Sequence, residues 1–258
     1  MSREAEFKGT PFREAIDFFQ AKVRVPTRTY TDLMNQAHSR AFMVAGAMKD
    51  DLLCDLQESV GRCLRDGLTL EDFRKDFDKI VAAHGWSYNG TRGWRTRVIF
   101  ETNIRTSYAA GRWQQAQRTK RMRPYGRYVH TPSRHPREEH VAWDGKIVPL
   151  DDPWWDFRWP PNGWGCKCTV ETVSERELER NGWTVEHPGP DERVKVTVST
   201  PDGPMRVETV EGVDPSFACN PGKSATGIRL SPRQVEEARE DGTWKNWKPV
   251  PWGNRTRN

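Results

Sequence analysis

The sequence predicts an α+β protein: a helical N-terminal part, then a small loop-rich α+β core with a β-hairpin and a His/Cys centre that could hold zinc. Three observations lead there. Apolar residues recur at helical spacing through the chain to about residue 120. After Arg123-Pro124 that period gives way to short alternating runs separated by Gly and Pro clusters. Between Arg137 and Cys168 the chain reads REEHVAWDGKIVPLDDPWWDFRWPPNGWGCKC. Histidine, aspartate and two cysteines stand there among tryptophan, proline and glycine, which suits a folded loop platform built around fixed polar residues.

The elements follow in order. Pro11 can open a helix running to Lys22, with Phe12, Ile16 and Phe19 on one face. Thr31 to Met48 carries Leu33, Met34, Ala37, Ala41, Val44 and Ala45 and reads as a second helix. Lys49 to Arg65 is a third, with Leu52, Leu53, Leu56, Val60 and Leu64, and Gly67 stands just beyond as a stop. Thr69 with Asp72 three residues on is a variant of the capping box. It opens a fourth helix, with Phe73, Phe77, Ile80 and Val81 on its face and Gly85 at its end. Thr91 to Lys120 reads as one long helix whose buried side would be Trp94, Val98, Ile104, Tyr108 and Trp113. Gly111 near its middle marks a close helix contact or a bend.

Short strands are expected at Arg127–His130, Lys146–Leu150 and Thr169–Val173. Ser174 with Glu177 is a full capping box for a short helix to Arg180, closed by Asn181-Gly182. Arg193–Ser199 and Met205–Val210 alternate around a Pro/Gly turn and form the hairpin. Asp214 to Thr226 reads as irregular. Ser231-Pro232 opens a last helix, and the tail with Trp244, Trp247 and Trp252 reads as an extended arm.

Composition narrows the class. A chain of 258 residues holds one large domain or two small ones. With 35% hydrophobic and 30% charged residues, a core module with extended arms fits better than one globule with a generous core. No apolar run approaches the length of about 18 residues that marks a membrane helix, so no membrane partner is expected. The first residues, MSREAEFKGTPFREAIDFF, lack the layout of a secretory signal. The five cysteines are an odd number, which argues for a reducing compartment rather than a disulfide framework.

The formal charge is +5. Between Arg92 and Arg127 stand Arg92, Arg95, Arg97, Arg105, Arg112, Arg118, Lys120, Arg121, Arg123 and Arg127, with Glu101 the one acid among them. Either this is a solvated helix face, or Arg92, Arg95, Arg105, Arg112, Arg121 and Arg123 meet DNA or an acidic partner.

The chemistry gathers at His140, Asp144, Cys166 and Cys168. His140 and Asp144 are four apart and share a face if they lie on a helix. Cys166 and Cys168 are two apart and share a side if extended. The two pairs could close a tetrahedral zinc site of one nitrogen, one oxygen and two sulfurs, and thiolate and imidazole donors suit zinc better than magnesium or calcium. His130 and His135 are further candidates for the fourth position. The plainer alternative is two small buried cysteines beneath a tryptophan cluster, with His140 bonded to loop backbone. A strained Cys166–Cys168 disulfide is a third reading. Trp154, Trp155, Trp159 and Trp164 are expected as packing, with a nucleic-acid stacking platform as the alternative. Nucleotide-binding and serine-hydrolase motifs are absent from the sequence. A Cys166–His140 nucleophile, or a nuclease with His140 as base and Arg137 on phosphate, has no motif behind it.

Several residues carry a family resemblance. Arg137-x-x-His140, Trp143-Asp144-Gly145, Asp151-Asp152-Pro153-Trp154 and Pro160-Pro161-Asn162-Gly163-Trp164-x-Cys166-x-Cys168 together resemble the phage Mu F-like minor head proteins, the head morphogenesis proteins also found in SPP1-type tailed phages. Val213-Asp214-Pro215-x-Phe217-x-x-Asn220-Pro221-Gly222 looks like a second block of that family, and Glu101-Thr102-Asn103-x-Arg105-Thr106 is similar to the segment preceding its His/Cys core. The resemblance implies a low-copy minor capsid protein of a tailed phage, made in the host cytoplasm. It would sit in the virion, in the capsid interior or at the portal vertex, and act in head assembly and DNA packaging or delivery. Its partners would be the portal protein, the major capsid or scaffold protein and packaged DNA. The core residues it points to are Arg137, His140, Asp144, Gly145, Cys166 and Cys168. On this reading residues 1–90 are a helical docking region, 91–230 the Mu F-like core, and 231–258 a C-terminal helix and Trp-rich tail. The protein would be structural rather than an enzyme. The alternatives are a zinc-dependent or histidine-based enzyme acting on nucleic acid or protein, and a simple basic DNA-binding module.

Overall fold

The structure is a computed structural model and describes residues 11–227. The helix expected at Ser231 and the Trp-rich tail lie outside the described residues.

The chain opens with α1 (Arg13–Gln20), a two-residue strand β1 (Val23–Arg24), α2 (Asn35–Arg40) and a two-residue β2 (Ala41–Phe42). Three helices follow: α3 (Asp50–Asp66), α4 (Leu70–His84) and the 28-residue α5 (Arg92–Thr119). Then come β3 (Tyr125–Val129), α6 (Glu138–Ala142), β4 (Ile147–Pro149), α7 (Trp155–Arg158), β5 (Thr169–Val173) and α8 (Glu175–Asn181). The hairpin β6 (Arg193–Thr200) and β7 (Gly203–Val210) leads to a 3-10 turn at Pro215–Phe217 and α9 (Pro221–Gly227).

Local chemistry explains most boundaries. Gly67 ends α3 and Gly85 ends α4 in the left-handed conformation, at φ 67° and 57°. Thr69 and Asp72 form both halves of a capping box at the start of α4, and Ser174 and Glu177 do the same for α8. The sheet has order β4-β3-β5, all antiparallel, with Val129 opposite Thr169 and Tyr125 opposite both Pro149 and Val173.

Two apolar cores share α5. One packs α3 and α4 against its N-terminal half through Leu52, Leu56, Val60, Phe73, Phe77 and Ile99. The other packs Ala109, Trp113 and Ala116 against Tyr128, Val148, Val170, Trp155 and Trp159. The expected packing role of the tryptophans holds: Trp154, Trp155 and Trp159 are buried, and Trp164 packs partly buried against the same core.

Four expectations need correction. Thr31–Met48 is not one helix. Asn35 takes a positive φ of 51°, and Ala41–Phe42 leaves the helix to pair in parallel with Val23–Arg24. Asp214–Thr226 is not irregular throughout: Asn220 Oδ1 accepts from the backbone of Gly222 and Lys223 and so starts α9 at Pro221. The Arg137–Cys168 platform contains, besides the expected strand, two short helices, α6 and α7. On α5, Trp94 and Tyr108 are 53% and 38% exposed. Beside the expected Trp113, the buried face carries Ile99 and Ala109 and the polar Thr96, Asn103, Thr106 and Ser107. Thr96, Asn103 and Ser107 return side-chain hydrogen bonds to the carbonyls of Arg92, Ile99 and Asn103 at 2.7–2.9 Å, so their burial leaves no donor unmet.

Gly111 is the close contact between helices. A Cβ there would lie 2.7 Å from Phe12 Cζ and 2.8 Å from the backbone nitrogen of Ala15, so α1 crosses α5 at that point.

Candidate functional site

The antiparallel register builds the centre. Val129 faces Thr169, so one step further His130 comes opposite Cys168. Tyr128 is fully buried on the face of β3 that meets the core, and its neighbour two residues on, His130, points the same way. Cys166 and Cys168 stand just before β5, and His140 stands on α6; all three are buried. His140 Nδ1 lies 3.8 Å from Cys166 Sγ and 3.7 Å from Cys168 Sγ. These donor atoms all lie within 4.8 Å of one another. His130 Nδ1 is 3.5 Å from Cys168 Sγ. Both cysteines are free thiols, so the disulfide reading is set aside.

The other ring nitrogen decides how His140 presents itself. Its Nε2–H donates to the carbonyl of Gly212 at 2.9 Å, which leaves the Nδ1 lone pair facing the two sulfurs. The ring stacks on Trp143 at 5.1 Å. In the cysteine pair, Cys168 is held far below the usual thiol range. The hydrogen bond it accepts from the Cys166 thiol lowers it most, burial opposes this, and the Tyr128 hydroxyl and the His130 ring beside it lower it further. Cys166 is pushed up, first by giving its hydrogen to Cys168 and then by burial. Burial, and then the two sulfurs, raise the Tyr128 hydroxyl, whose oxygen accepts from Asn162 Nδ2 at 3.0 Å.

Asp144 is not in the cluster. Helix α6 ends at Ala142, so the helical step that would carry Asp144 to the face of His140 is never completed. Asp144 is exposed, and its Oδ1 accepts from the backbone N–H of His130 at 2.8 Å. Gly145 then turns at φ 81° and donates its N–H to the carbonyl of Tyr128 at 2.9 Å. His135 is exposed in the loop before α6.

The second family-like block closes the site from the opposite side. Arg137 donates to Asp214 Oδ2 at 2.9 Å and to the carbonyl of Trp164 at 3.2 Å. Asp214 Oδ2 also accepts from the Trp164 N–H, and the Asp214 N–H donates to the Asn162 carbonyl, both at 2.9 Å. Gly163 sits against this pair, where a Cβ would lie 2.3 Å from Asp214 Oδ2. Arg158 is buried between Trp143 and Trp154, with ring centroids at 4.8 and 5.4 Å, and pairs with Asp191. Burial pulls its guanidinium down to about 10. Sequence reasoning missed Gly212, Asp214 as partner of Arg137, and Arg158. Only the Val213-Asp214-Pro215 match hinted at the first two.

The basic residues from Arg92 to Arg127 differ in exposure and pairing. Arg95 is buried and donates to the carbonyls of Asn89 and Ala45. Arg92 pairs with Asp78, Arg105 with Glu101, and Arg123 with Glu177 and Thr172. Arg97, Arg112 and Arg121 are exposed. A cleft of about 380 Å³ runs between α5 and the cysteine loop, lined by Glu101, Arg105, Arg112, Pro161, Cys166 and Cys168 among others.

This arrangement is a buried cluster of soft donors with an orienting shell. The chain belongs to the family described as Phage Mu protein F like protein, whose model matches residues 55–171, from α3 to β5. It is 31% identical over 193 residues to the "Putative capsid assembly protein F" of Escherichia phage Mu, covering 69% of this chain and 44% of that protein. It is 31% identical over 199 residues to the Mu-like prophage FluMu F protein of Haemophilus influenzae, covering 73% of this chain and 45% of that one. The chain thus spans less than half the length of these curated relatives. No solved structure matches it. Among the described residues no helix is long and apolar enough to cross a membrane.

Proposed function

We propose that this chain is a capsid assembly protein of a Mu-like phage head, a low-copy component that joins the procapsid at the portal vertex and acts by adhesion rather than turnover. The observation that carries this reading is the 31% identity, over 193 residues, to a protein named for capsid assembly. The residues shared with the family's motifs support it, because they build one interlocked centre: Arg137, His140, Asp144, Gly145, Cys166 and Cys168 all hold backbone, sulfur or a turn.

Two features weigh against the nuclease alternative. His140 is only 2% exposed, and its Nε2 is committed to Gly212. Arg137 is committed to Asp214 and Trp164 rather than open to a phosphate. Contact with packaged DNA would fall to the exposed Arg97, Arg112 and Arg121. The partners on this reading are the portal protein and the major capsid or scaffold protein.

The test is co-sedimentation. Procapsids assembled from the phage's portal, scaffold and major capsid proteins are banded on a gradient with and without this chain. The chain should band with procapsids at low copy, and only when portal protein is included. A chain left at the top of the gradient in every combination overturns the reading.

A further inference from the structure

We infer that the chain holds one zinc ion in a Cys₂His₂ centre made by Cys166, Cys168, His140 Nδ1 and His130 Nδ1, with Asp144 positioning His130 instead of ligating. The inference is independent of the role in head assembly.

Distances come first. Bonds of about 2.3 Å to sulfur and about 2.0 Å to nitrogen put the N···S edges of a tetrahedral zinc site at about 3.5 Å. The three N···S separations at hand are 3.8, 3.7 and 3.5 Å. A hydrogen-bond account of the same contacts is incomplete. With Nε2 donating to Gly212, Nδ1 of His140 has one lone pair, yet two sulfurs approach it almost equally. One ion on that lone pair satisfies both.

The fourth ligand follows from the register that sets His130 against Cys168. His130 lies outside the compact trio, with its ring nitrogens more than 4.8 Å from at least one of the other donors, and touches it on the Cys168 side, so its ring would have to turn inward to ligate. Asp144 holds the backbone at that position through the His130 N–H, while Thr131 Oγ1 donates to the Lys167 carbonyl at 2.9 Å. The loop after β3 is thereby tied to the turn after α6 through Asp144 and to the cysteine loop through Thr131. Four protein donors leave no open position, so the ion would be structural. The cleft beside Cys166 and Cys168 is the route in.

The test uses the full chain. Zinc is measured by mass spectrometry after dialysis, and cobalt(II) is loaded into chelator-treated protein as a spectroscopic probe. About one zinc per chain is expected, with the intense visible bands and thiolate charge transfer of tetrahedral cobalt. His130→Ala should shift the cobalt bands and weaken zinc binding. Asp144→Asn, which keeps an Oδ1 to accept from the His130 N–H, should leave the bands in place and zinc binding close to that of the unaltered chain. Cys168→Ser should abolish stoichiometric zinc; if that variant does not fold, zinc titration of chelated wild-type chain reads the same stoichiometry. Zinc far below one per chain, with no cobalt charge transfer, overturns the inference. So does a cobalt spectrum that answers to Asp144→Asn but not to His130→Ala.

Discussion

His140 shows how one residue's role depends on what its second nitrogen does. The Gly212 carbonyl takes Nε2–H, and the sulfurs receive the lone pair of Nδ1. None of this follows from its distance to Cys166 along the chain, because Gly212 comes seventy-two residues later. The sequence identified the right residue types, yet its arithmetic paired His140 with Asp144 on a helix that stops two residues too early. It put His130 in reserve, and only the β3–β5 register brings that residue to Cys168. A second histidine supplies a pH test. His38 is buried, its Nδ1–H donates to the Ser216 carbonyl at 3.0 Å, and burial with Lys22 nearby lowers its pKa to about 4. The unfolded chain therefore takes up this proton first as pH falls. Stability from His38 is intact above pH 6.5, the ordinary value, and is lost progressively down to about pH 4, by up to about 3 kcal/mol. Urea unfolding at stepped pH should show that loss, and His38→Gln should flatten the slope over the same window. An unchanged slope in the variant would contradict the assignment.

Helices α3, α4 and α8 were legible because their signals are local. Capping boxes at Thr69 and Ser174 and left-handed glycines at 67, 85 and 182 act within a turn of the residues they stop or start. The segment after Thr31 was not legible. Its apolar spacing suits a helix, and a non-local pairing of Ala41–Phe42 with Val23–Arg24 overrides it. Helix α5 was placed correctly but turned wrongly. Between Ile99 and Trp113 its buried face includes small polar residues that bond back to the helix, and periodicity arguments do not count those as buried. Two glycines of α5 separate packing from propensity. Gly111→Val should cost about 1–3 kcal/mol by forcing α1 away, read as a lower urea midpoint and faster amide exchange in α1. Gly93→Ala meets only the end of Arg74, at 4.0 Å, and should be neutral or gain up to about 1 kcal/mol. Equal effects at the two positions would sink the contact between α1 and α5.

At the scale of the whole molecule, α5 belongs to both apolar cores, and the Cys/His centre ties the sheet, α6 and the post-hairpin loop together. The arginines of α5 divide along the same lines. DNA affinity measured against salt should give a shallow slope, since each phosphate contact contributes about −0.9 and the contacts are assigned to Arg97, Arg112 and Arg121. Arg112→Ala and Arg121→Ala should reduce that slope. Arg95→Ala should leave it unchanged and lower stability by about 1–3 kcal/mol, because it removes the charged hydrogen bonds from buried Arg95 to the carbonyls of Asn89 and Ala45. A steep slope that Arg95→Ala reduces would restore the continuous strip. The central claim is that the family's residues build a metal clamp rather than a reaction centre. Anomalous diffraction at the zinc edge, from crystals of the full chain, tests it most directly. The account predicts one peak enclosed by Cys166, Cys168, His140 and His130, with the Asp144 carboxylate outside its coordination sphere. A map with no peak there, or a peak bound by Asp144 or by a water in an open fourth position, would contradict it.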